Sequence, residues 1–544
     1  MHHRRIVATS LLTVAAVAVL GAAALGAAAP VDYARRGETA WADVKVLADD
    51  NMEGRRAGSP GHRRAAEYVA AEFRKAGLAP GGDGGWFQRV PLESRTIDES
   101  ASSVSLVGAD GERELEPGVD VIFSLRGNYA PQVEAPLVFA GYGLSVPQYG
   151  YDDLADADLE GKVVVAFMAA PKSVPGAVGA HFGSATERWK AYRARGAVGM
   201  MLVPNPFSSD IHWERIAPTR FDPFMVLGPP EEDLFAGQKL WLSYNPAKLP
   251  QLFAGSPQGA DAVLAKLKDG AALPHFDLAF RVRAATAAKT TQVTSENVIG
   301  ILRGSDPKLR AEYVVLSAHI DHLGIASEAP AGATDKLYNG AMDNASGVAV
   351  LLDVARDLRR TKARPKRSIV FAAVTAEESG LLGSRAFVSR AQRTKMRIVA
   401  DVNTDMFLPL YPLEHLVVFG LEESDLAADA RAAAGTLGVA VMSDPQPARN
   451  RFIRSDQYSF VRAGIPALAL KIGFAADSPQ AEIEKKWIAE RYHAPGDDLA
   501  QPVDFGAMGK FSVLVQRLAL RIADRSTVPE WNATSAFAAK PAAP

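Results

Sequence analysis

Three short runs between residues 313 and 402 are almost wholly apolar and rich in β-branched residues: Tyr313 to Ala318, Ser368 to Thr375 and Ile398 to Val402. Their length and their flanking by helical patterns predict buried parallel strands, covered by helices on both faces. Elsewhere the apolar positions recur at three and four residues. Trp41, Val44, Leu47 and Ala48, then Ala65, Tyr68, Val69 and Phe73, predict two helices between residues 34 and 78. The Gly- and Pro-containing stretch Glu53 to Gly61 between them reads as a loop, with Ser59-Pro60 opening the second helix and Gly77 near its end. Met508, Phe511, Leu514, Val515, Leu518 and Ile522 lie on one face of a further helix over Phe505 to Ala523. From Trp86 to about Leu125 the pattern shortens to strands. A strand, loop, strand, helix, strand series then extends to about residue 280, as a βαβ-like unit requires. The fold class expected is α/β, with a mixed, mostly parallel sheet sandwiched by helices and a β-rich α/β insert. The divisions are a leader at 1–30, a first part of the main unit at 34–130, the insert at 131–285, the main part at 290–525 and a flexible tail at 526–544.

The leader adds a compartment. MHHRR precedes an Ala, Val and Leu-rich stretch that closes on GAAAP, the layout of a cleaved export signal. A retained membrane anchor is the alternative, since Ile6 to Ala29 is long enough to span. Periplasmic or extracellular placement follows, with membrane contact only if the leader is retained. The 544 residues carry a formal net charge of -2 with no long run of either sign, which gives no sign of a nucleic-acid partner. There is no cysteine, so disulfides, thiolate metal sites and a cysteine nucleophile are excluded.

Each of the three predicted strands ends near a group that can bind metal. Open α/β sheets bind ligands beyond the carboxyl ends of their strands, so His319, Asp343, Glu377, Glu378 and Asp405 are candidates to converge there, joined by the late His493 in ERYHAPGDD. Singly, each has a plain reading: His319-x-Asp321 is a common spacing, Glu377-Glu378 could be a solvated face, and Asp343-Asn344 could cap the helix that follows. Their conjunction at strand and helix ends carries the argument. A pair of divalent ions bound without thiolates needs imidazoles and carboxylates, one of them bridging, and His319, Asp343, Glu378, Asp405 and His493 supply that number. Glu377, off the metal, is placed to take a proton from water, and Asp321 to receive the His319 imidazole N–H. The single-zinc motif H-E-x-x-H is absent. His181 and His212 stand alone and read as structural or surface histidines.

AHIDHLG, DNASGVAVLL, AEESGLLGS, NTDM, SDQYSFVRAGIPAL and RYHAPGDD together resemble the zinc-dependent peptidases of family M28, the aminopeptidase Y and bacterial secreted aminopeptidase relatives. LADDNMEGRRAGSPGHRRAAEYVAAEFRKAGL resembles the amino-terminal part of their phosphorylase/hydrolase-like fold. Residues near 130 to 280 resemble the protease-associated (PA) domain often inserted there. The resemblance implies two Zn2+ ions bridged by Asp343, with His319 and Asp405 on one and Glu378 and His493 on the other. It also implies Glu377 as general base, a cis peptide after Asp343, and Tyr492 as a group polarising the scissile carbonyl, although a Tyr there could equally pack. The activity expected is removal of amino-terminal residues from peptides. A carboxypeptidase or dipeptidase of the same family, or a non-catalytic receptor on the scaffold, are the alternatives; retention of His319 and Asp405 argues against the glutaminyl cyclases, which use fewer metals. Two positions depart from many relatives: Met342 stands where they have Asp, and Gln457 where they have His.

Overall fold

The computed structural model describes residues 31–209, 211–229, 233–329, 334–449 and 451–538. The leader lies outside them. Among the described residues no helix is long and apolar enough to cross a membrane.

The three apolar runs form the centre of a ten-stranded sheet. Its strands are β1 (Phe87–Ile97), β2 (Phe224–Leu227), β3 (Ala288–Leu302), β4 (Glu312–His319), β5 (Ser368–Val374), β6 (Arg397–Thr404), β7 (His415–Phe419), β8 (Ala440–Met442) and β9 (Ala467–Gly473), in spatial order β2-β1-β3-β5-β4-β6-β9-β7-β8, with Ala79–Pro80 pairing to β3. The sheet is mixed, as expected. Its parallel part is narrower than the apolar runs suggested: β5, β4, β6 and β9 run parallel at the centre, as does the outer pair β7 and β8, and the remaining pairings are antiparallel.

Strand alternation divides the core into two layers. Val314, Leu316 and Ala318 of β4 and Ile369, Phe371 and Ala373 of β5 face helices α1 (Tyr33–Leu47), α2 (Pro60–Lys75), α3 (Ser346–Arg360) and α5 (Phe505–Asp524). Val315, Val370, Ala372 and Val374 face α4 (Leu382–Arg393) and the helix Gln457–Arg462 on the other side. Both faces of these strands are therefore apolar, which is why they read as unbroken runs. Ser59 caps α2 through the His62 amide at 3.1 Å, and Pro60 follows it.

The inserted unit is larger than expected. The expected boundary at residue 131 falls inside its eight-stranded sheet, because Ser103–Gly108, Gly111–Glu114 and Val121–Phe123 pair within it. Ser103–Gly108 and Val121–Phe123 find partners after residue 200, at His275–Ala285 and Leu240–Tyr244, and Gly111–Glu114 pairs with Ser103–Gly108. The insert also returns one strand, β2, to the edge of the main sheet against β1. The tail needs correction as well. Trp531 bridges Ser424 and donates Nε1 to Gly464 O at 2.9 Å, and Phe537 packs on Trp531, Phe452 and His181. Two aromatic anchors fix the segment through residue 538, where composition had suggested a mobile end.

Candidate active site

The segments that converge at the carboxyl ends of β4, β5 and β6 bring His319, Asp343, Glu377, Glu378, Asp405 and His493 together. Asp343 lies between the two imidazoles. Its Oδ1 is 3.2 Å from His319 Nε2, and its Oδ2 is 3.2 Å from His493 Nε2. His319 Nε2 is also 3.3 Å from Asp405 Oδ1, and His493 Nε2 is 3.1 Å from Glu378 Oε2. Glu377 is buried beside them, with a carboxylate oxygen within 4.8 Å of donor atoms of His319 and Glu378.

Local chain geometry explains how Asp343 reaches this position. Gly340 adopts φ +61, and a Cβ there would meet Asp343 O at 2.2 Å and the His322 ring at 2.5 Å, so only glycine passes. Asp497, fully buried, accepts the Met342 and Asp343 amides at 2.9 Å each. The Asp343–Asn344 bond is cis, as the resemblance implies. Asn344, not Asp343, serves the helix start: its Oδ1 accepts the Gly347 amide at 3.0 Å, leaving both Asp343 oxygens to the imidazoles. Met342 is buried in the core, and Gln457 is held by Phe452 O and Asn403 beside the cleft.

Asp321 departs from its expected part. His319 Nδ1 lies 3.1 Å from the Asp321 main-chain carbonyl and 3.8 Å from its carboxylate, which accepts the Glu377 amide at 3.1 Å instead. The carboxylate is drawn to the strand-end N–H, and the histidine is oriented by the backbone. Tyr492 packs on His493 with ring centroids 4.0 Å apart and the rings tilted by 32°, accepts from Arg454 at 2.9 Å, and lines a cleft of about 580 Å³ beside Asp405.

Two buried residues escaped the sequence reading. His322 Nδ1 is 2.7 Å from Glu378 Oε1, and because an ionised carboxylate only accepts, Nδ1 carries the proton. The second His of AHIDHLG was the available signal. Arg55, within the loop read as punctuation, donates to Leu47 O, Ile320 O, Asn339 O and Gly340 O, tying the segment after His319 to the one before Asp343. His181 is structural, as expected: its Nδ1 meets the Tyr458 hydroxyl at 2.8 Å across the contact between insert and main unit. His212 precedes the short helix Trp213–Ile216 without capping it through its side chain.

Burial pushes the Glu377 carboxyl well above the usual carboxylate range, and the charges of Glu378 and Asp405 push the same way. Burial also opposes ionisation of Asp343, but hydrogen bonds from His319 and His493 hold it well below that range. Four carboxylates and three imidazoles crowd one wall, with no thiolate. Three groups of them place one donor atom each within 4.8 Å: His319, Asp343 and Asp405; His319, Glu377 and Glu378; His322, Asp343 and Glu378. Such a donor set suits borderline divalent cations, whose charge offsets the repulsion among the carboxylates.

Residues 297–519 match the model of peptidase family M28. Aminopeptidase YwaD of Bacillus subtilis (strain 168) is 28% identical over 274 residues, 48% of this chain and 53% of that protein. Aminopeptidase NAALADL1 of Mus musculus is 36% identical over 118 residues, 21% of this chain and 14% of that protein, so the chain spans only about half of the length of the first of these relatives and a smaller part of the second. The solved aminopeptidase from Aneurinibacillus sp. strain AM-1 superposes with a TM-score of 0.53 at 20% identity, over 89% of this chain and 94% of that one, and shares its fold.

Proposed function

With residues 297–519 belonging to peptidase family M28, we propose that the protein is a zinc-dependent aminopeptidase that removes amino-terminal residues from peptides at a dizinc centre. The observation that supports this is the position of Asp343, one oxygen toward His319 and Asp405 and the other toward His493 and Glu378. In this reading Asp343 would be shared by two ions, with His319 and Asp405 holding one and Glu378 and His493 the other. Two zinc ions held there would lower the pKa of the attacking water and polarise the scissile carbonyl.

The chain's own residues do the rest. Glu377, buried and with raised proton affinity, takes a proton as water oxygen bonds to the carbonyl carbon. It returns that proton to the amine nitrogen as the C–N bond breaks, releasing one amino acid and a shortened peptide. Tyr492, at the cleft wall, donates toward the carbonyl oxygen, with Arg454 orienting its hydroxyl. The leader pattern of residues 1–30 supports action outside the cytoplasm.

A Leu-initiated peptide, free and amino-acetylated, tests the reading by mass spectrometry with zinc-loaded protein. Stepwise loss from the amino end of the free form alone is expected, and trimming from the carboxyl end of both would overturn it. Glu377→Gln is expected to keep both zincs while turnover falls by roughly 10² to 10⁴ or more, the usual contribution of a general base. Undiminished turnover in folded variant would remove Glu377 from that role.

A further inference from the structure

Two arginines of the inserted unit reach across to the main chain of the segments that bear Glu378 and His493. Arg126, in the connection between Val121–Phe123 and Gln132–Ala140, donates Nη2 to Glu378 O at 3.0 Å. Arg215, in the helix Trp213–Ile216, donates Nη1 to Ala489 O at 3.0 Å and Nη2 to Tyr492 O and to His493 O, the latter at 3.2 Å. His493 has φ +50, a backbone region that a residue with a Cβ enters at a cost, so this loop requires support from outside itself. The planar guanidinium, with several N–H donors at fixed angles, suits a cluster of carbonyls.

The other half of the centre is held differently. His319 ends β4, and Asp405 directly follows β6. The loop after His319 is fixed by Arg55 and by the Ile320 amide on Val374 O, both from the main unit. Among the described residues, no side chain of the insert hydrogen-bonds to residues 319–321 or 403–406.

We propose that the inserted unit completes one half of the metal centre: through Arg126 and Arg215 it holds Glu378 and His493 in position to share an ion, while the His319 and Asp405 half stands without it. The inference rests on the dizinc reading above. It makes the insert part of the metal-binding machinery, with Arg126 and Arg215 as positioning residues that touch neither ion nor substrate.

Zinc retention by the full chain tests this. Wild type, Arg126→Ala, Arg215→Ala and Arg215→Lys are loaded with zinc, then titrated with a chromophoric chelator, with metal content measured at each step and thermal melting as a check on folding. A control, Arg281→Ala, removes an exposed insert arginine paired with Glu134. The expected result is that each alanine variant releases one of its two zincs at roughly 10- to 100-fold lower chelator strength, the usual loss when a supporting contact to a ligand is removed. The second zinc is held as in wild type, Arg215→Lys recovers part of the loss, and the control is unchanged. Wild type binding two ions and alanine variants binding both as tightly would overturn the inference alone, as would equal loosening of both ions. A wild type that takes up a single ion would overturn the dizinc reading and the inference with it.

Discussion

His322 donates to Glu378 from within a fully enclosed position, and among the described residues its Nε2 has no hydrogen-bond partner. It therefore acts on a carboxylate that also meets His493, and removing it frees Glu378 to rotate. His322→Ala is expected to weaken zinc retention by roughly 10- to 100-fold, and His322→Asn, whose amide nitrogen occupies the position of Nδ1, to recover part of it in the same chelator titration. Equal retention in all three proteins would reduce His322 to packing. At this scale the sequence was most legible where chemistry coincides with strand ends, which is how His319, Glu377, Glu378 and Asp405 stood out. It was least legible where a residue acts through its backbone. The service that Asp321 gives His319 comes from a carbonyl, and every residue has one. Arg126 and Arg215 were silent for a related reason: a lone arginine in a loop or a one-turn helix reads as a solvated charge until the chain that receives it is brought alongside.

Among the elements, the loop between α1 and α2 does more than reverse the chain. Burial lowers the Arg55 pKa to about 10, still far above neutrality, so a full charge is kept inside by four carbonyls. Arg55→Met would leave those carbonyls without their donor, at about 1–3 kcal/mol for each that water cannot reach. A loss of about 3 kcal/mol or more in denaturant unfolding is expected, with impaired zinc uptake, since the loops on either side of Arg55 lead to His319 and Asp343. A stability within error of wild type would show that the loops stand by themselves. The central strands were legible because both faces are apolar, whereas the start of the insert was not. β1 passes into the strands over residues 103–123 with no change in composition, and only the pairing of Ser103–Gly108 and Val121–Phe123 with partners beyond residue 200 assigns this stretch to the second sheet.

For the whole molecule, the contact between the helix Gly176–Phe182 and the helix Gln457–Arg462 contains the half-buried His181. Burial depresses its pKa to about 4; Glu187 nearby favours the proton, and Arg462 and Lys190 oppose it. Because the docked pKa is below the free value of about 6.5, the contribution to docking is present above pH 6.5 and is lost as pH falls toward 4. At pH 5 the loss is about 2 kcal/mol. Hydrogen exchange across residues 176–182 and 457–462 should therefore accelerate between pH 7.5 and 5 beyond the intrinsic chemistry, and His181→Gln should flatten that change. Exchange with the same pH dependence in both proteins would contradict the assignment. The antiparallel pairing of β1 with β3 has a different consequence. The register runs unbroken from Phe87 opposite Val298 to Ile97 opposite Ala288, so the chain leaves for the insert and returns from it at neighbouring rungs of one ladder. A tight turn could join those two ends, which makes the insert a detachable module in topology. It is not detachable in consequence: excision would take β2 with it, uncover the flank of β1 as an unpaired sheet edge open to other chains, and strip the scaffold of both guanidinium props.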